Sequence, residues 1–393
     1  MSLETAVILS GQTAGLGVIR ALGRKDVPVQ VCYHDPREMG RKSKYVLKEF
    51  CLPDPATEEE AFVERLQDRQ IGSTGAILIP TSDATLSVVS RNKAALQQKY
   101  VVACPDWEIT QKFLDKKFTC AIAENAGVPA PHTFLPKRVE DIDALEGVIQ
   151  FPCLAKPSQS HRFRLYYNRK MTWVNNMAEL QSAFKGLAGT DVELMVQEYI
   201  PGEDHLGANY NAYYWEGEPL CEFTAHKIRN APPAMGSPCA LISETIPEVI
   251  EMGRKLLGTV RYSGFACTEF KRDPRDGRYK LMEVNARHNL SSLLAVTCGM
   301  NFPWLEYRHL LTGVSPQEEQ YERGIYWVDA VRDFRYWAAG LGKNGFTLGQ
   351  FLEPYIHKHV FAVFDWKDPM PGMVRIKDIA RMAINPMMRE KAL

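Results

Sequence analysis

The chain has 393 residues, more than one ordinary core accommodates, so two or three packed units are expected. Its 47 basic and 47 acidic residues cancel, which excludes a global field of the kind that draws a protein to nucleic acid or to an anionic membrane surface. The opening MSLETAVILSG has an acid at Glu4 and only a short apolar run, and no later stretch is long and apolar enough to span a bilayer; a cytoplasmic protein with no nucleic-acid and no membrane partner is expected.

The first segment alternates short apolar runs with amphipathic stretches: AVILS, GLGVIRALGRK, VPVQVCYHD, AFVERLQDRQ and GAILIPTSD. That rhythm predicts a parallel sheet with crossover helices, an α/β unit. GQTAGLG, Gly11 to Gly17, lies between the first strand and the first helix, where glycines either turn backbone N–H groups to a phosphate or let helix and strand pack closely. The spacing is GxxxGxG rather than GxGxxG, although Asp35 follows the second strand where a ribose-binding acid would sit. At the carboxyl end of the GAILIP strand, Thr81, Ser82 and Asp83 are candidate substrate contacts, with Asp83 suited to an amino group; capping of the next helix by Ser82 or Asp83 is the alternative. CPDWEITQKFLDKKFTCAIAENAGVPAP reads as a helix pair closed by Gly127 and Pro129. From Phe151 on, strands dominate (FPCLAKP, LMVQEYIPGED, NYNAYYWEG, PLCEFTAHKI, GFACTEFKRD, RYKLMEVNAR), joined by short polar turns, which predicts an antiparallel sheet in an α+β unit. The aromatic-rich tail after Thr312 reads as an added helical layer and a terminal extension. The nine cysteines are scattered with no CxxC pair, which favours reduced, core-filling thiols over a zinc site or a disulfide framework.

The chemistry concentrates in residues 265 to 287. Period-two alternation puts Phe265, Cys267, Glu269 and Lys271 on one face of the first strand and Tyr279, Leu281, Glu283, Asn285 and Arg287 on one face of the second. Folding about the DPRDG turn brings Glu269 nearly opposite Glu283. Opposed carboxylates repel, and a divalent cation between them resolves the conflict. Two carboxylates and the Asn285 amide are hard oxygen donors of the kind Mg²⁺, or Mn²⁺, takes when phosphate and water complete its shell. Arg287 can brace developing negative charge there. Lys227 and Arg229 in TAHKIRN fall on one strand face suited to a γ-phosphate or an acyl phosphate, or form an exposed basic edge. Lys156 ends an apolar strand, where a cation is costly unless an anion meets it.

EVNAR, preceded by a strand carrying Glu269, resembles the metal-binding end of the ATP-grasp superfamily, and further segments resemble it in order over Asp115 to Ser292. The resemblance implies that Lys116, in the helix LDKKFTCAIAENAGVPAP, and Lys156, in FPCLAKPS, contact nucleotide phosphates. In VQEYIPGED it implies Gln197 and Glu198 beside adenine, backbone contacts from Ile200, and Asp204 or Glu203 on the ribose. The implied fold is α/β plus α+β: a pre-ATP-grasp, Rossmann-like domain over 1–108, an ATP-grasp domain over 109–312 with a lid subdomain at about 130–200, and a C-terminal extension over 313–393. Two departures stand out: the loop after Lys156 offers His161, Arg162 and Arg164 in place of glycines, and Cys267 stands where members resembling D-alanine–D-alanine ligase carry an arginine. The DPMPG and KIRNAPP segments look most similar to carboxylate-amine ligases related to D-aspartate ligase.

The resemblance implies that ATP converts a small-molecule carboxylate to an acyl phosphate, which an amine, an amino acid or peptide, then captures. ATP and Mg²⁺ are the implied cofactors, and a homodimer is expected because such enzymes are often dimers. Two other readings remain open from the residues: an NAD(P)-dependent oxidoreductase built on GQTAGLG, and a catalytically silent ATP-binding sensor.

Overall fold

The structure, a computed structural model, describes residues 3–157, 172–186, 193–233, 236–317, 320–340 and 347–384. The basic loop carrying His161, Arg162 and Arg164 lies outside the described residues.

Five strands, β1 (Ala6–Leu9), β2 (Val29–Tyr33), β3 (Val46–Cys51), β4 (Ile77–Pro80) and β5 (Val101–Val102), pair in parallel in the order β3-β2-β1-β4-β5. β1 and β4 are buried at every position, as continuous apolar strands between two helix layers must be. Gly15 earns its place by packing: a Cβ there would lie 1.9 Å from the Ser10 carbonyl oxygen. The Gly11 N–H, the donor a dinucleotide pyrophosphate would need, instead donates to the buried carboxylate of Glu38. That bond occupies the donor a phosphate would need. Asp35 is taken by Arg37, at 2.6 Å. Both observations favour close packing as the role of the glycine turn and leave the oxidoreductase reading without its phosphate site.

A small sheet follows, β6 (Thr133–Phe134), β7 (Cys153–Pro157), β8 (Thr172–Val174) and β9 (Leu194–Glu198), in the order β6-β9-β7-β8. One of its faces is covered by an apolar cluster that includes Ile142, Leu145, Ile149, Leu180 and Val196. The largest sheet contains β10 (Gly207–Trp215), β11 (Glu218–Ala231), β12 (Ser237–Ser243), β13 (Gly264–Arg272), β14 (Tyr279–Asn285), β15 (Tyr326–Val328) and β16 (His359–Phe361). Its order is β14-β13-β10-β11-β12-β15-β16, antiparallel except for the last pair. The tail is thus more than a helical layer: it extends the sheet by two strands, with helices Ala330–Gly340 and Leu348–Ile356 between them. The DPMPG motif then returns to the first unit. Asp368, fully buried, accepts from Arg20 Nε at 2.9 Å, Ser43 Oγ at 2.7 Å and the Lys44 amide at 2.8 Å.

Alternation sorts the central strands into two faces. Ala208, Tyr210, Ala212, Ala266 and Phe270 join one core, and Tyr213, Phe223, Phe265 and Cys267 the other. In β14 the alternation breaks. The register shifts between Glu269 and Phe270, leaving Met282 without a partner on β13, and a bulge of this kind reverses the phase of everything beyond it. Tyr279 and Leu281 therefore pack into the core with Val284 instead of sharing the face of Glu283.

No helix among the described residues is long and apolar enough to cross a membrane.

Candidate active site

On the polar stretch of the sheet, Glu269 is the direct register partner of Glu283, and Cys267 that of Asn285. Glu269 Oε2 accepts from Lys227 Nζ at 2.5 Å and Oε1 from Asn285 Nδ2 at 3.3 Å. Burial pushes the Glu269 carboxyl up, but Lys227, with help from Arg287 and Lys116, overcomes it and holds the group below its ordinary value. The same pair has the opposite sign on Lys227, which burial would lower and Glu269 raises above its usual value. On the adjacent strand Asn209 sits directly across from Glu269; it is 1% exposed, and its Oδ1 has no hydrogen-bond partner among the described residues.

Lys156 reaches toward this acid pair from β7 of the small sheet. Its ammonium donates to Gln197 Oε1 at 2.6 Å, and Gln197 Nε2 donates to Thr133 Oγ1 at 2.9 Å. Burial, reinforced by Lys116 and opposed by Glu283 and Cys120, brings Lys156 down from 10.5 to about 7. Lys116 begins the helix Lys116–Asn125 and lines a narrow cleft with Gln197, Met282 and Glu283. The sequence leaves Lys116 and Lys117 hard to distinguish; the structure separates them, because Lys117 turns outward to Glu193 at 3.0 Å.

Gln197 and Glu198 project to opposite sides of β9. Glu198 accepts from the His132 amide at 3.0 Å and from Arg275 Nη2 at 2.5 Å. It lines a separate cavity of about 340 Å³ with His132, Phe134, Arg275 and Lys280. Its side chain therefore faces away from Lys156, and only its backbone remains on the strand toward the cleft. Beyond β9, Lys271 Nζ donates to the Ile200 and Gly202 carbonyls at 3.0 and 2.8 Å, which anchors the chain between the two sheets. Asp204 accepts from the Asn230 amide and Nδ2 at 2.9 and 3.0 Å. Glu203 is exposed beside His205, at 3.3 Å.

Arg287 joins the two large units. Its Nη2 donates to Asn285 Oδ1 at 3.1 Å and its Nε to Asp83 Oδ1 at 2.6 Å. Two residues assigned to different roles thus meet in one ion pair. Thr81 and Ser82 are used structurally: Thr81 Oγ1 donates to the Leu9 and Ser10 carbonyls at 2.7 and 2.9 Å, and Ser82 caps the helix Asp83–Arg91 in a reciprocal box with Thr85. Arg229 is not brought to the acid pair. It is 3% exposed and forks onto Asp333 at 2.7 and 2.9 Å.

No protein-family model matches the chain. It is 26% identical over 255 residues to a D-aspartate ligase of Enterococcus faecium (strain Aus0004), an alignment covering 61% of this chain and 58% of that enzyme. To a D-alanine–D-alanine ligase of Pseudomonas entomophila (strain L48) it is 23% identical over 211 residues, 49% of this chain and 62% of the relative. The chain spans about three-fifths of the length of these curated relatives. The crystal structure of an L-amino acid ligase from Bacillus licheniformis superposes with a TM-score of 0.61 at 16% identity, covering 79% of this chain and 75% of that one. The fold is the ATP-grasp fold.

The ATP-grasp arrangement sets the small sheet, with Lys156 and Gln197, against the acid hairpin of the large one. Its donor set fits a hard divalent cation. Among the described residues no three His, Cys, Asp or Glu side chains gather; two acids and an amide are what remains, with the unpartnered Asn209 oxygen alongside. That is too few donors for an all-protein cage and suits Mg²⁺, which keeps water and substrate phosphate in its shell. Sequence reasoning missed Asn209 and Asn230, and it placed Lys271 only on the face of Glu269. Asn209 could have been found by registering NYNAYYWEG against FACTEFK; nothing in the sequence signals that Asn230 and Lys271 brace segments far from them.

Proposed function

We propose that this chain is an ATP-dependent ligase that activates a carboxylate as an acyl phosphate and couples it to the amine of an amino acid or peptide, forming a C–N bond. The observation that carries the reading is the opposition of Glu269 and Glu283, bordered by Asn285, Lys227 and Arg287 and faced by Lys116 and Lys156. Acids already beside cations need a further cation only if polyanionic substrate also arrives, and Mg²⁺-ATP supplies both.

In this reading Glu269, Glu283 and Asn285 would hold Mg²⁺ or Mn²⁺, which would supply charge neutralisation for the transferring phosphoryl group. The Asn285 amide turns over to present its oxygen, since its Nδ2 faces Glu269 in the free protein. Lys116 and Lys156 take the phosphates, Gln197 and the Glu198 and Ile200 backbone take adenine, and Asp204 takes the ribose. A substrate carboxylate oxygen attacks the γ-phosphorus and ADP departs. The amine nitrogen then attacks the acyl carbon, the C–O bond to phosphate breaks, and phosphate leaves with the former carboxylate oxygen. Lys227 and Arg287 stabilise the acyl phosphate and the tetrahedral oxyanion. Asp83, whose carboxylate already meets Arg287, lies where a substrate ammonium would complete the ion pair. The relatives' names, D-aspartate, D-alanine–D-alanine and L-amino acid ligases, support amino acids as the substrate class.

The test is an ADP-release screen with Mg²⁺-ATP across paired amino acids and small carboxylic acids, with product masses and a hydroxylamine trap. ADP with a matching amide or hydroxamate is the expected result. No ADP and no hydroxamate with any pair would refute the ligase, and tight ATP retention without turnover would favour a sensor.

A further inference from the structure

Residues 227 to 230 of β11 serve three separate parts of the protein. Lys227 meets Glu269 at 2.5 Å, Arg229 forks onto Asp333, and Asn230 holds both oxygens of Asp204. A regular strand would send Lys227 and Arg229 to one face. Two register shifts against β12 intervene: Ile228 is the extra residue on β11 between Lys227 and Arg229, which breaks the alternation there, and Cys239 is the extra residue on β12 opposite Arg229 and Asn230.

Side chains of the C-terminal extension hold these bulges. Asp333 is fully buried and also accepts from the Tyr355 hydroxyl at 2.9 Å. Arg229 Nη1 donates to the Gln350 carbonyl at 3.0 Å. From the same helix as Asp333, Arg332 Nη2 donates to the Ala231 and Ser237 carbonyls at 2.7 and 2.9 Å. These bonds span both sides of the β11–β12 connection.

We propose that Asp333 is a positioning residue for the nucleotide site: through Arg229 it fixes the bulged β11–β12 pairing that presents Asn230 to Asp204, so that the C-terminal extension governs recognition of the ribose. The inference rests on the ATP-dependent reading above, with Asp204 on the ribose hydroxyls. Asp333 itself touches no substrate. Arg229 belongs, on this view, to the same positioning set and not to the reacting centre.

The readout is discrimination between ATP and 2′-deoxy-ATP, measured as the dissociation constant of 2′-deoxy-ATP divided by that of ATP on the full chain with Mg²⁺ present. A general loss of stability would weaken both nucleotides alike. Asp333→Asn is expected to lower the ratio about tenfold, the worth of a well-placed hydrogen bond to a charged group, while Tyr355→Phe, which leaves the Arg229 fork intact, preserves it. Asp333→Glu should restore part of the ratio. Should Asp333→Asn fail to fold, Arg229→Lys, which keeps the charge but loses the fork, is read the same way. A wild-type ratio that the Asp333 or Arg229 variants leave unchanged would overturn the inference while the ligase reading stands. A wild type that binds both nucleotides equally would also overturn it, by removing Asp204 from the ribose. A wild type that binds neither would overturn the ligase reading and the inference together.

Discussion

Nucleotide binding should draw a proton from solution onto Lys156, because burial has brought that group down to about 7. One unit above its pKa a base holds its proton about a tenth of the time, so at pH 8 Lys156 in the free protein is mostly neutral, resting on Gln197 Oε1 at 2.6 Å. A polyphosphate within hydrogen-bond reach favours the ammonium strongly. Binding at pH 8 should therefore take up about nine-tenths of a proton, and at pH 6 about a tenth. Calorimetry of Mg²⁺-ADP binding in two buffers of different ionisation heat reads that uptake directly, and Lys156→Met should abolish its pH dependence. Stability carries the same signature. The unfolded chain keeps this proton up to 10.5 whereas the native chain releases it near 7, so the unfolded state binds more protons in that window and the Lys156 contribution to stability rises with pH across it. An uptake near zero at pH 8 would refute a neutral Lys156 that the phosphates recharge, and an uptake that survives in Lys156→Met would refute the assignment of this lysine to the phosphates.

Other consequences are equally specific. Glu283→Gln removes one of the two opposed carboxylates and should weaken Mg²⁺ at least about a hundredfold, read as the Mg²⁺ dependence of nucleotide binding; an unchanged dependence would contradict the metal site. Asp83→Ala releases Arg287 and should raise KM for one substrate while leaving ATP affinity unchanged; unchanged kinetics would rule Asp83 out as a substrate contact. Asp368→Asn leaves Arg20 buried against a neutral partner, both side chains being fully buried, and should cost about 3–5 kcal/mol in denaturant unfolding. Loss of less than about 1 kcal/mol would mean that the tail is not bound to the first unit through this pair.

How much of this the sequence made legible depends on the range of the interactions. The Glu269–Glu283 pairing follows from a turn nearly midway between two acids, and the structure has that register. The bulge that turns Tyr279 and Leu281 into the core was hidden, because it answers to packing against helices and strands distant in sequence. β3 was missed for a different reason: Val46–Cys51 is a half-exposed edge strand without strong alternation. β15 and β16 are three residues each, too short to show a period, and exist because they pair with β12 and with each other. A spacing of two groups Arg229 with Lys227 on one face, and the bulge at Ile228 cancels it. Glu38, closing the Gly11 amide from 27 residues away, has no local signature at all.

The central claim is that a carboxylate oxygen passes to phosphate during ATP-driven amide formation. With the substrate pair found by the ADP screen, the carboxylate is labelled with ¹⁸O and the released phosphate examined by mass spectrometry. One labelled oxygen in each phosphate, formed in step with ADP and amide, is the expected result. Unlabelled phosphate accompanying amide formation would contradict acyl-phosphate chemistry at this site.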